Sequence, residues 1–233
     1  MMKRAITINN IPAIIWGDDS DRVIIAIHGN QSNKADVPIE ILANNASIKS
    51  YQVLSFDLPK HGDRVNESTP CEVQTCVEEL RIIMQYAKAN WQYISLFANS
   101  MGAYFSLLAY PDEPLEKVFF LSPVIDMQRI IENMMMSFSI TPEQLERQQI
   151  VSTPIGQDLY WDYYCFVKEH PIIKWSVPTY ILKGDNDDLC ESNVVIQFAE
   201  RFSCKLNTAK EAGHYFHTPT ELASLNNWLE KII

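Results

Sequence analysis

The chain has 233 residues, of which 47% are hydrophobic and 21% charged, and its formal net charge is −10. This suits one globular domain with a full core, and the acidity speaks against nucleic acid or an anionic membrane surface as a partner. No apolar run approaches the ~20 residues of a membrane helix, Met1 to Thr7 holds no signal-peptide core, and five cysteines occur without a CxxC spacing, so a cytoplasmic chain with no disulfide, metal or cofactor is expected.

Ala5–Asn9 and Ala13–Trp16 read as a short antiparallel pair split by Asn10-Ile11-Pro12. Val23–Ile27 is a continuous, mostly β-branched run, as in a strand buried on both faces, and it ends in His28-Gly29-Asn30. Pro38–Ser47 reads as a helix and Tyr51–Phe56 as a strand ending at Asp57. After the loop Leu58–Arg64, Cys71–Asn90 carries helical periodicity. A strand over 92–97 leads through Ala98-Asn99-Ser100-Met101-Gly102 into a helix over 101–109. Val118–Leu121 and Val177–Leu182 read as strands, Asn193–Phe202 as a helix, Lys205–Ala209 as a strand and Pro219–Ile232 as a closing helix. Alternating strands and helices predict a parallel sheet with right-handed crossovers, with ligands at the C-terminal strand ends.

Residues 123–175 break this rhythm, being far too long for one crossover helix. They read as a helical cap inserted over the strand ends of a single domain, 1–233. Methionine and aromatic side chains suit the wall of an apolar pocket. Met134, Met135, Trp161 and Tyr164 are the candidate lining residues, and packing within the insertion is the competing role.

Ser100, between small residues at a sharp strand-to-helix turn, has the pattern of a nucleophile elbow. A hydroxyl is a weak nucleophile near neutral pH and needs a histidine base oriented by a carboxylate. Of five histidines, His214 follows the last strand, and Gly213 frees the backbone beside it. His217, before Thr218-Pro219, is the runner-up and reads better as a capping or surface residue. The acid falls among Asp185, Asp187 and Asp188, with Asp126 first a hinge residue of the insertion. The amides of Met101 and Asn30 are the candidate oxyanion donors, and His28 shapes the turn before Asn30.

Taken together, His28-Gly29, Asp57 with His61-Gly62, Ala98-x-Ser100-x-Gly102, Gly184-x-x-Asp187 and Gly213-His214 resemble the α/β-hydrolase superfamily, particularly its cap-bearing serine esterases and lysophospholipase-like members. The resemblance spans nearly the whole chain. It implies a mostly parallel sheet flanked by helices. It selects Asp187 as the acid of a Ser100–His214–Asp187 triad, and it gives His61 no catalytic role. Ala98 stands where the first elbow glycine is usual, and Lys183 where the acid motif often has histidine. The implied activity is cleavage of a small carboxylic ester, thioester or amide with an apolar or aromatic group. A non-catalytic ligand-binding protein, an acyltransferase and a C–C hydrolase are the alternatives on the same fold.

Overall fold

The computed structural model describes residues 1–233. The chain begins with a hairpin of β1 (Lys3–Ile8) and β2 (Ile11–Trp16). Its turn is Asn9-Asn10, both at positive φ (46° and 69°), the backbone of a two-residue hairpin turn. The turn is thus tighter than Asn10-Ile11-Pro12, and Ile11 and Pro12 pair within the ladder.

There follow β3 (Arg22–Ile27), α1 (Val37–Ile48), β4 (Gln52–Phe56), α2 (Val73–Asn90), β5 (Tyr93–Asn99), α3 (Met101–Ala109) and β6 (Leu115–Leu121). Residues 123–175 hold α4 (Met127–Ser137), α5 (Pro142–Gln148), β7 (Ile150–Ser152), β8 (Asp158–Tyr160) and α6 (Trp161–Glu169). The chain closes with β9 (Thr179–Gly184), α7 (Ser192–Arg201), β10 (Lys205–Ala209) and α8 (Pro219–Ile232). Two boundaries depart from the periodicity. Cys71 lies outside the helix, which starts after its cap residue Glu72. The insertion is not all helical, because β7 and β8 form an antiparallel hairpin turned at Gly156 (φ +77°).

Eight strands form one sheet in the order β1-β2-β4-β3-β5-β6-β9-β10. β1 and β2 are antiparallel, and β2 meets β4 antiparallel; every later pairing is parallel. The β3 run explains its central place. Val23, Ile25 and Ile27 point into the larger apolar cluster with α2 and α3, while Ile24 and Ala26 point into the smaller one with α1 and α8. Alternate side chains feed opposite faces, so both faces must be covered. No helix is long and apolar enough to cross a membrane.

Chain order reverses beside β3: β4 lies on one flank and β5 on the other. Such a switch point opens a crevice at the C-terminal strand ends. The loops after β3 and β4 are tied there by buried Asp57. It accepts from the Lys34 amide (2.8 Å), the Lys34 ammonium (2.5 Å) and the Asp63 amide (2.9 Å).

The β9 terminus is equally tight. A Cβ on Gly184 would overlap the Ala212 carbonyl, a backbone atom that cannot swing aside. Gly184→Ala is therefore expected to cost about 2–3 kcal/mol, read as a fall in the urea midpoint at constant slope. A loss under about 0.5 kcal/mol, the level of ordinary surface changes, would contradict this packing.

Candidate active site

Ser100 sits between β5 and α3 at φ 52° and ψ −121°. A non-glycine residue held there stores about 1–3 kcal/mol of strain. Its backbone is pinned from both sides. The Ser100 amide donates to the Leu121 carbonyl (3.0 Å), and its carbonyl accepts from Val124 (3.1 Å) and Ala103 (3.1 Å). Two glycines make room. A Cβ on Gly102 would lie 2.7 Å from the His28 carbonyl, and one on Gly29 would lie 2.9 Å from the Ser100 Cβ. Ala98 is fully buried, so the elbow accommodates its methyl.

The close approach brings Asn30 beside the elbow. Neither the Asn30 nor the Met101 amide is taken by a carbonyl of the surrounding turns. His28 shapes this corner. Its Nδ1 donates to the Gly29 carbonyl (2.7 Å), and its Nε2 accepts from the Leu58 amide (3.0 Å). Burial lowers its pKa to about 4, which keeps it neutral.

Asp187 and His214 arrive on two loops that are laced together. The Asp185 amide donates to Ala209 (3.1 Å), and the Asn186 amide donates to Ala212 (3.0 Å). Asp187 is buried while Asp185 and Asp188 are exposed. Its Oδ1 accepts from the amides of Leu189 (3.1 Å) and Cys190 (2.8 Å). His214 Nδ1 lies 3.0 and 3.1 Å from the two carboxylate oxygens, and its Nε2 lies 2.8 Å from Ser100 Oγ. Facing a carboxylate, Nδ1 carries the proton, so Nε2 accepts from the hydroxyl. His217 is exposed near Glu221, and Asp126 caps α4. Lys183 Nζ donates to Ser192 Oγ (2.7 Å).

The His214 loop has its own anchor. Glu221 accepts from the amides of Gly213 (2.8 Å), His217 (3.1 Å) and Thr218 (2.9 Å) and from the Thr218 hydroxyl (2.8 Å). It also completes a capping box on α8. Burial alone would raise its pKa, but these donors outweigh burial and hold it at about 2.

Asp187, Cys190 and His214 present donor atoms within 4.8 Å of one another, a spacing that a metal ion could use. Here the carboxylate already serves His214 and two amides, and burial pushes the Cys190 thiol up, away from the thiolate that a metal needs.

Ser100 opens into a cavity of about 270 Å³. Met101, Phe105, Val124, Ile131 and Met134 make its apolar wall, and Asn30, Gln157 and Tyr160 its polar side. Of the four expected lining residues only Met134 takes part. Met135 packs into the core, and Tyr164 points away to donate to Glu132 (3.0 Å) with Trp161 against its ring. Tyr163, one position earlier on α6, faces the cavity instead. His61, Cys71 and Tyr215 also line it; a loop cysteine and an exposed tyrosine carry no periodic signal. A slightly larger cavity, about 320 Å³, shares only Met127 with the first and touches none of Ser100, Asp187 and His214.

No protein-family model and no curated protein sequence matches the chain. Solved structures do. Est1E from Butyrivibrio proteoclasticus, with ferulic acid bound, superposes at a TM-score of 0.80 and 18% identity, covering 98% of this chain and 96% of that one. Mouse alpha/beta hydrolase domain-containing protein 10 gives 0.78 at 13% identity, covering 100% and 98%. XC6422 from Xanthomonas campestris, described as an a/b serine hydrolase without lid, gives 0.68 at 14%, covering 98% and 92%. The chain has the α/β-hydrolase fold.

Glu221 sets an acid limb of stability. A carboxyl whose folded pKa is depressed stabilises above its ordinary value near 4.5 and loses that contribution as pH falls toward about 2. Glu221→Gln is expected to cost about 2 kcal/mol at neutral pH. It should also flatten the loss of stability between those two pH values, as measured by urea unfolding. An unchanged acid limb would remove Glu221 from this role.

Proposed function

We propose that the protein is a serine hydrolase that cleaves a small carboxylic ester. One observation carries the reading: Ser100 Oγ, His214 and Asp187 stand in an unbroken hydrogen-bonded row at 2.8 and 3.0 Å, at a strained turn that faces an apolar cavity. His214 Nε2 takes the hydroxyl proton as Ser100 Oγ attacks the carbonyl carbon. Asp187 keeps the imidazole in the required tautomer and stabilises its charged form. The free amides of Asn30 and Met101 receive the oxyanion. His214 then protonates the leaving alkoxide. Water, deprotonated by the same nitrogen, attacks the acyl-enzyme and releases the acid and the free serine.

The insertion 123–175 acts as a cap in this reading, supplying Met134, Ile131 and Tyr163 to the substrate wall. Its apolar lining suits an aliphatic or single-ring aromatic acyl group. The ferulic acid in Est1E lends weight to an aromatic acid, and the thioesterase domain of the curacin pathway (TM-score 0.61, 14% identity) to a thioester alternative. The small substrate, the acidic surface and the five free thiols fit a cytoplasmic enzyme.

A fluorophosphonate probe should label the wild type and leave Ser100→Ala unlabelled. On p-nitrophenyl esters, Ser100→Ala should lose at least about 10³-fold in kcat/KM, and Asp187→Asn about 10⁴-fold in kcat. Met134→Trp should move the best acyl chain to a shorter length. A folded wild type that resists the probe and turns over no ester would sink the hydrolase reading in favour of a ligand-binding protein.

A further inference from the structure

Two cysteines and a histidine meet in the wall of the Ser100 cavity. Cys71 lines it, as do His61 and Asn30. Cys71 Sγ lies 3.7 Å from Sγ of Cys76, which is fully buried in the first turns of α2. Cys71 itself is half-buried, just before the cap residue Glu72, where the positive end of the helix favours an anion. The His61 ring is held by two acceptors, the Pro59 carbonyl on Nδ1 (2.8 Å) and Asn30 Oδ1 on Nε2 (3.2 Å). A ring that faces only acceptors is best satisfied when both nitrogens carry protons. His61 thus links Asn30 to the cavity wall that Cys71 shares.

We propose that Cys71 and Cys76 are a redox-active dithiol, oxidised to a disulfide by a small hydroperoxide, and that this bond slows ester turnover through His61 and Asn30. The second half rests on the hydrolase reading above.

The Cys76 thiol, burial and the His61 ring act on Cys71 in that order of size; the two polar partners outweigh burial and draw its pKa down to about 6. Burial lowers the pKa of His61, but Cys71 and the Pro59 carbonyl outweigh it and the net shift is upward. Cys76 is pushed well above the ordinary thiol range by Cys71 and by burial. Cys71 is therefore the more acidic of the two sulfurs and the readier nucleophile, and Cys76 is the one placed to resolve it. Burial pushes the remaining three thiols upward, Cys204 to about 11.

The Cys71 thiolate attacks the peroxide: an S–O bond forms, the O–O bond breaks, and the departing alkoxide or hydroxide takes a proton. Cys76 sulfur then attacks the sulfenic sulfur and loses its own proton. The S–S bond forms, the S–O bond breaks, and water leaves. The two thiols lose two electrons and the peroxide gains them. The sulfurs close from 3.7 Å to the ~2.05 Å of a disulfide. His61 loses its Cys71 partner, and Asn30, whose amide faces the reacting carbonyl in the proposed mechanism, is left with Gln157 as the other partner of its side chain.

The test treats the full-length protein with hydrogen peroxide and follows intact mass, peptide maps and p-nitrophenyl ester turnover together. In wild type a Cys71–Cys76 disulfide should form, turnover should fall several-fold in step with it, and dithiothreitol should reverse both. Iodoacetamide should reach Cys71 before any other thiol. Cys71→Ser should form no disulfide. Cys76→Ala should stop at a Cys71 sulfenic acid that dimedone traps, a readout independent of esterase activity. Cys204→Ser should respond as wild type does. Absence of the disulfide in wild type, or faster reaction at another cysteine, overturns the dithiol. A disulfide that leaves turnover unchanged overturns the link to Asn30. A protein inert on every ester that still forms the bond overturns the hydrolase reading and leaves the dithiol standing.

Discussion

Crowding between the end of β3 and the turn from β5 into α3 sets the geometry of everything near Ser100. Two backbones meet with only hydrogen atoms between them at Gly29 and Gly102. Ser100 takes its positive-φ conformation at that contact, and Asn30 and Met101 line the same cavity as its hydroxyl. The strain persists because the surroundings over-determine it. β6 grips the serine backbone from one flank, and neutral His28 fills the corner on the other. A charged histidine there would lose its hydration, because the ring is buried, which is why its low pKa is part of the packing.

A second contact carries His214 and Asp187. The β9 and β10 loops share backbone hydrogen bonds, with Gly184 at the crossing. Glu221, at the start of α8, holds the His214 loop through three amides. His214 is therefore aimed by α8 and Asp187 by the end of β9. The row from carboxylate to hydroxyl exists only when both elements are docked on the same sheet.

Legibility in the sequence followed the physics of each element. The central strands were plain because continuous apolar runs have no other buried solution. The elbow was plain because glycine and serine at fixed spacing answer to backbone crowding. Asp187 was less so: three acids in four residues look alike until the loop turns one inward and bonds it to its own Leu189 and Cys190 amides. Helical phase in the insertion was not readable. Met134–Met136 and Trp161–Phe166 are apolar on too many sides for the pattern to say which face meets the cavity, and the pocket-facing residue of α6 proved to be Tyr163. The β7–β8 hairpin was hidden for a related reason, since three-residue strands are shorter than any periodicity can mark.

The larger apolar cluster does not stop at the sheet. It runs on into residues 127–169 through eight buried side chains: Met127, Ile131, Met135, Leu145, Val151, Leu159, Tyr164 and Val167. Exposing even half of them, at about 1.5–3 kcal/mol each, would cost about 6–12 kcal/mol. That is comparable to the whole stability of an ordinary domain, about 5–15 kcal/mol. Residues 127–169 are thus packed as part of the body, not hung from it on a hinge. They should melt with the body in a single cooperative transition.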